Sequence, residues 1–220
     1  MILKWRNLHW WWPRWTMLNL VRNWKPLHKN LINCVSLASA LQHSINNYLH
    51  GDTKQQKEFA DSCGLLGRLM ARRHSSFHAM IGFQNIRKLN SAVCRLLRLD
   101  FNRDLERFAS GLPDMDIGEQ WSLPAEVPNC NCLDYVLLRL IALHSLYERI
   151  QEQSLQAAEH FVQLIRSNYF MDTNTLFVAV FGKLHQLSKH LGNKCCLLYD
   201  SLLRSRNCFP TGKHSLLPSD

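Results

Sequence analysis

The stretch Asp172–Leu202 reads DTNTLFVAVFGKLHQLSKHLGNKCCLLYDSL, and its apolar residues Leu176, Val180, Leu184, Leu187, Leu191, Cys195, Leu198 and Leu202 recur at steps of three or four. A strand returns to the same face every second residue, whereas steps of three and four do so only on an α-helix. Asp172-Thr173 supplies a start. Upstream, a second run begins near Asn129, carries Leu133, Leu137, Leu140, Tyr147, Phe161 and Ile165, and extends to about Phe170. At ~1.5 Å per residue these are rods of roughly 60 and 50 Å. The short loop between them forces an antiparallel hairpin.

The same period governs the first half. Leu31, Val35, Ala38, Leu41, Ile45 and Leu49 form one stripe, stopped by His50-Gly51. Asp52-Thr53 is placed to cap a second helix through Phe59, Cys63, Leu66 and Met70, with Arg73–Ser76 as a weak break. A third stripe follows in Phe83, Ile86, Leu89, Val93 and Leu96, then a short helix from about Asn102 to Ser110. Gly111–Pro128 is a linker, with three Pro, two Gly, four acids and Trp121. Strand alternation is almost nowhere found, and 9 Gly and 7 Pro are too few for the many turns of a β-sandwich or a doubly wound sheet. The expected fold is all-α: a helical bundle with a long C-terminal antiparallel helix hairpin. Its expected divisions are a Trp-rich basic segment at 1–29, a helical domain at 30–208 and a flexible tail at 209–220. Within the domain, the basic half is 30–110, the linker 111–128 and the hairpin 129–208.

With 220 residues and 46% apolar composition, the chain makes one domain, or at most two small ones, and has a core of its own. Its charge is unevenly placed. Residues 1–99 hold 15 Lys or Arg against 3 acids, whereas 100–220 hold 11 against 14. Such a field concentrates polyanions, so nucleic acid is the first partner to consider and an anionic membrane surface the second. The eight cysteines do not form a disulfide framework, because three lie in helical apolar patterns and two are adjacent. They are expected as reduced, mostly core thiols in a nuclear or cytosolic protein. Met1–Trp24 holds six of the seven Trp and no acid. Lys4, Arg6, Pro13 and Arg14 interrupt it, which excludes a secretory signal. An amphipathic helix packed on the domain, a membrane-interface segment and a mitochondrial presequence all remain open. No segment is apolar for long enough to span a bilayer.

Chemistry concentrates on the third stripe. At ~100° per residue, Arg87, Lys88, Arg95 and Arg98 fall in one sector, with Gln84 and Ser91 between them and the apolar residues opposite. Arg68, Arg72 and Arg73 add three cations upstream, and no acid occurs from Gly64 to Leu99. A merely solvated face mixes both signs for i, i+4 pairing. Six guanidinium groups and one ammonium without acids suit phosphate instead. These seven residues are the candidate RNA-binding set, giving affinity without sequence readout.

Metal chemistry finds poorer support. His74 and His78 have the spacing of a two-histidine pair but lack a third ligand at suitable spacing. Cys130-x-Cys132 and Cys195-Cys196 lack partner pairs, and Asp114-x-Asp116 sits in the linker, where carboxylates are usually solvated. No phosphate-cradling Gly loop, nucleophile elbow or metalloprotease helix is present. No catalytic residue, metal, cofactor or small-molecule substrate is therefore expected, and the chain is expected not to be an enzyme.

The order of motifs carries a family resemblance. Arg72-Arg73-His74-Ser75-Ser76-Phe77-His78, the stripe Phe83, Ile86, Leu89, Val93 and Leu96, and a short helix ending Gly111-Leu112-Pro113 resemble the N-terminal domain of the nucleolus and neural progenitor protein family. Val127-Pro128 before a Leu-rich helix, then a Leu-Phe-Val-Ala-Val helix ending Cys196-Leu197-Leu198-Tyr199-Asp200-Ser201-Leu202-Leu203, is similar to that family's closing hairpin. The likeness covers about residues 30–206. It implies a nucleolar, mostly helical protein similar to a protein subunit of the ribonuclease MRP ribonucleoprotein, whose catalytic strand is RNA. The implied role is non-catalytic, in ribosomal RNA processing, with a structured RNA and other subunits as partners and with progenitor maintenance as an indirect consequence. A nuclear adaptor whose basic surface meets acidic proteins and never touches RNA is the alternative. A membrane is not an expected partner.

Overall fold

A computed structural model of the chain describes residues 31–78, 80–112 and 128–209. The Trp-rich segment at 1–29, Asp114, Asp116, most of the linker and residues 210–220 lie outside the described residues. Six α-helices follow in order: α1 (Leu31–His50), α2 (Thr53–Phe77), α3 (Ile81–Leu99), α4 (Phe101–Ser110), α5 (Cys130–Arg166) and α6 (Met171–Arg204), closed by a short 3₁₀ turn at Arg206–Cys208. No strand occurs among the described residues, and the fold is all-α.

The α5–α6 hairpin is the spine. Leu133, Leu137, Leu140, Tyr147 and Phe161 of α5 are buried against Val180, Leu184, Leu187, Leu191, Cys195, Leu198 and Leu202 of α6. α3 packs along α5, α2 along α6, α4 on α5 and α1 on α6. The two halves of the sequence are thus interleaved. The linker brings its ends back together, since a Cβ on Gly111 would lie 3.1 Å from Pro128 Cγ.

At the turn of the hairpin an aromatic cluster joins three helices. Phe161 and Phe177 have ring centroids 5.0 Å apart, Phe161 and Phe181 5.6 Å, and Phe77 of α2 lies 6.2 Å from both Phe161 and Phe177. Each such pair adds ~0.5–1.5 kcal/mol beyond the area it buries. This cluster corrects two expectations. Arg73–Ser76 is no break, because burial of Phe77, 1% exposed, keeps α2 helical to its end and overrides the Ser pair. Leu176 is 43% exposed, because Phe177 and Phe181 take the core positions instead. α5 also ends at Arg166, short of Phe170. Asn168 and Phe170 both have positive φ, which reverses the chain between the rods.

Polar ties lock the helices to one another. Asn129 caps α5 by accepting from the Cys132 N–H at 3.0 Å. Asp52 makes no such cap for α2; its carboxylate turns instead to Lys194 and His190 of α6. The Lys194 contact leads in holding the Asp52 carboxyl below its ordinary range. Arg139 of α5 donates to Asp104 of α4, and also to the carbonyl of Leu99 at the end of α3, where Asp100 adopts φ 47°. Arg206 grips the fully buried Asp134 with two parallel bonds of 2.8 and 3.1 Å, tying the end of α6 to the start of α5.

Phe209, the first residue of the expected tail, packs on Phe108 with ring centroids 6.0 Å apart. Cys63, Cys94, Cys130, Cys132, Cys195 and Cys196 are free thiols; Cys63, Cys130 and Cys195 are buried, Cys94 and Cys132 half-buried, and Cys196 exposed. Burial pushes the Cys63 thiol up to about 12 and the Cys195 thiol up to about 11.

Candidate nucleic-acid interface

α3 is strongly two-faced. Phe83, Ile86, Leu89, Val93 and Leu96 are buried, while Arg87, Lys88, Arg95 and Arg98 are exposed. The apolar stripe fixes the rotation of the helix on α5, and that rotation aims the cations outward. They therefore stand on a rigid element. Arg68, Arg72 and Arg73 are likewise exposed, on α2.

None of the seven forms an ion pair among the described residues. Cations elsewhere do: Arg139 with Asp104, Lys183 with Glu58 at 3.5 Å, Lys194 with Asp52 and Arg206 with Asp134. Those pairs tie separate elements to one another, whereas the α3 cations form no ion pair among the described residues. Mutual repulsion between Arg95 and Arg98, at i, i+3 spacing, costs a few tenths of a kcal/mol. An anion seated among them relieves that cost.

Side chains of α3 and one of α5 line an open groove. Arg87, Lys88 and Arg95 line a cavity of about 310 Å³ together with Arg149 of α5, and Gln84 and Ser91 add neutral hydrogen-bonding groups. The groove thus gathers three of the seven predicted residues. Arg98 lies beyond it on the same face of α3, and Arg68, Arg72 and Arg73 stand outside it. Arg149 escaped sequence reasoning because it follows Glu148 and precedes Glu152, in a mixed-sign stretch with no mark of its own. Only the packing of α3 on α5 brings it to the groove.

The histidine pair has a structural setting. His74 and His78 stack with centroids 5.9 Å apart, His74 meets the edge of Phe83, and His78 Nδ1 lies 3.0 Å from the Ser75 carbonyl. Among the described residues no three His, Cys, Asp or Glu side chains are grouped to hold a metal ion. No described helix is long and apolar enough to cross a membrane.

A family model, nucleolus and neural progenitor protein, N-terminal, matches residues 16–203. The chain belongs to this family. The match spans all six helices except the last residue of α6 and begins inside the Trp-rich segment. It confirms the resemblance read from the helix motifs, and the family's name places its members in the nucleolus. No curated protein and no solved structure matches the chain.

Proposed function

We propose that this chain is a non-catalytic scaffold subunit of a nucleolar ribonucleoprotein, resembling ribonuclease MRP, that contacts RNA and acts in ribosomal RNA processing. The observation that carries this proposal is the exposed cationic face of α3, which forms no ion pair among the described residues and is held rigid by its buried opposite side. Cations so placed neutralise phosphates and release counterions, which gives salt-dependent affinity without reading bases. The family resemblance read from the sequence implies a particle in which RNA does the chemistry. Its partners are then a structured RNA and neighbouring protein subunits; neither a small-molecule substrate nor a membrane takes part. An effect on neural progenitors follows indirectly from ribosome supply.

Reversing Arg87, Arg95 and Arg98 to Glu tests the proposal. None of the three makes an ion pair, so helicity measured by circular dichroism should be unchanged. RNA affinity near 0.1 M salt should fall at least about 100-fold, and the salt slope should drop by about three. Equal affinity of the triple variant and the native protein would remove the RNA-contacting role. Retention of partners in a pull-down after RNase digestion would favour the adaptor, whose basic surface meets acidic proteins.

A further inference from the structure

We infer that the α3–α5 groove seats the phosphate backbone of double-helical RNA, with Arg149 as its second wall; this rests on the RNA-contacting role of α3. The groove has two sides. Arg87, Lys88 and Arg95 stand along one helix, and Arg149 approaches from another. From Arg87 to Arg95 the row extends ~12 Å along a straight helix, at ~1.5 Å per residue. It therefore faces a line of phosphates rather than a single terminal one.

The chemistry of the lining separates duplex from single strand. Proteins that hold single-stranded RNA stack its bases on aromatic rings and read the exposed edges. Among the described residues lining this groove none is aromatic; Ala92 is the apolar contribution, and Gln84 and Ser91 are the neutral polar ones. Unstacked bases would find no platform there. An A-form duplex keeps its bases stacked internally and offers two things, phosphate oxygens and ribose 2′-hydroxyls. Guanidinium forks match the first, and the Gln84 amide and Ser91 hydroxyl match the second.

Arg149 is available to the groove. Arg149 has acids beside it on α5, but Glu148 lies 3.8 Å from His144 Nδ1 and Glu152 accepts from Gln156 at 3.1 Å. Neither forms an ion pair with Arg149, which is exposed. Its replacement therefore leaves helix packing intact.

The test uses the full chain with a hairpin-free duplex RNA of about 16 base pairs, a single strand of equal length that cannot pair, and a poly-glutamate peptide. The native protein should bind the duplex at least about fivefold more tightly than the single strand, and the peptide most weakly. R149E should weaken duplex binding roughly tenfold near 0.1 M salt, with the salt slope falling by at least about one. R149K should keep most of the salt slope. Equal binding of duplex and single strand, or an unchanged duplex affinity in R149E, overturns the inference. If R87E/R95E/R98E still abolishes that binding, the RNA-contacting role survives. Failure of the native protein to bind either RNA removes both, and tighter binding of poly-glutamate assigns the groove to an acidic protein.

Discussion

Gly82 shows how much one methyl group matters in this fold. It lies buried in the first turn of α3, and a Cβ there would overlap the imidazole of His160 on α5. The φ angle of Gly82 is not positive, so close approach and not backbone freedom requires glycine. Gly82→Ala is expected to cost ~1–3 kcal/mol, as overpacking does, and to lift the start of α3 from α5. In a His160→Ala background the clash disappears, and the same change should become neutral or favourable by a few tenths of a kcal/mol through helix propensity. Urea denaturation of the four proteins checks this; an equal cost in both backgrounds would contradict it. Neither partner was legible in the sequence. A glycine near a helix start and a histidine 78 residues later carry no shared signal until packing joins them.

Among whole elements, the buried Asp134–Arg206 pair decides whether the hairpin closes at its open end. Asp134 is 0% exposed and Arg206 meets it with two bonds, so removing the guanidinium strands a charge in the core. Arg206→Ala should cost ~3–5 kcal/mol, whereas replacing both residues with Leu should recover most of that loss. Chemical denaturation measures both, and a double variant as unstable as the single one would count against this account. The helices themselves were plain from periodicity: the α3 stripe and most of the α5 and α6 stripes are core, and α5 does begin just after Asn129. What periodicity left undecided was register and continuity. Leu176 and Phe177 are adjacent and both apolar, and the choice between them is made by rings arriving from α2 and α5. Ser75 and Ser76 weaken a helix locally, yet Phe77 is buried deeply enough to hold the last turn of α2. Asp52 has the residue type of a cap, but its carboxylate is drawn to Lys194. In each case a tertiary contact outweighs a local preference of about 1 kcal/mol.

At the scale of the molecule, charge and packing are arranged on different principles. Cations that pair between elements hold the bundle together, and cations of α3 that form no ion pair among the described residues remain for a partner. The α3 row was legible because the absence of acids from Gly64 to Leu99 is a property of the sequence itself. The groove was not, because its second wall depends on α5 lying beside α3. The three arginines of α2 share the composition of the row but not its groove. Their contribution to RNA affinity should therefore be smaller than that of α3. Chemical crosslinking of the full chain to bound RNA with a bifunctional alkylating reagent, which needs no base against an aromatic ring, followed by mass spectrometry of the linked peptides, tests the central claim most directly. Crosslinks should concentrate in Gln84–Arg98 and in the peptide around Arg149. Crosslinks confined to other helices, or none at all under conditions where RNA is bound, would contradict it.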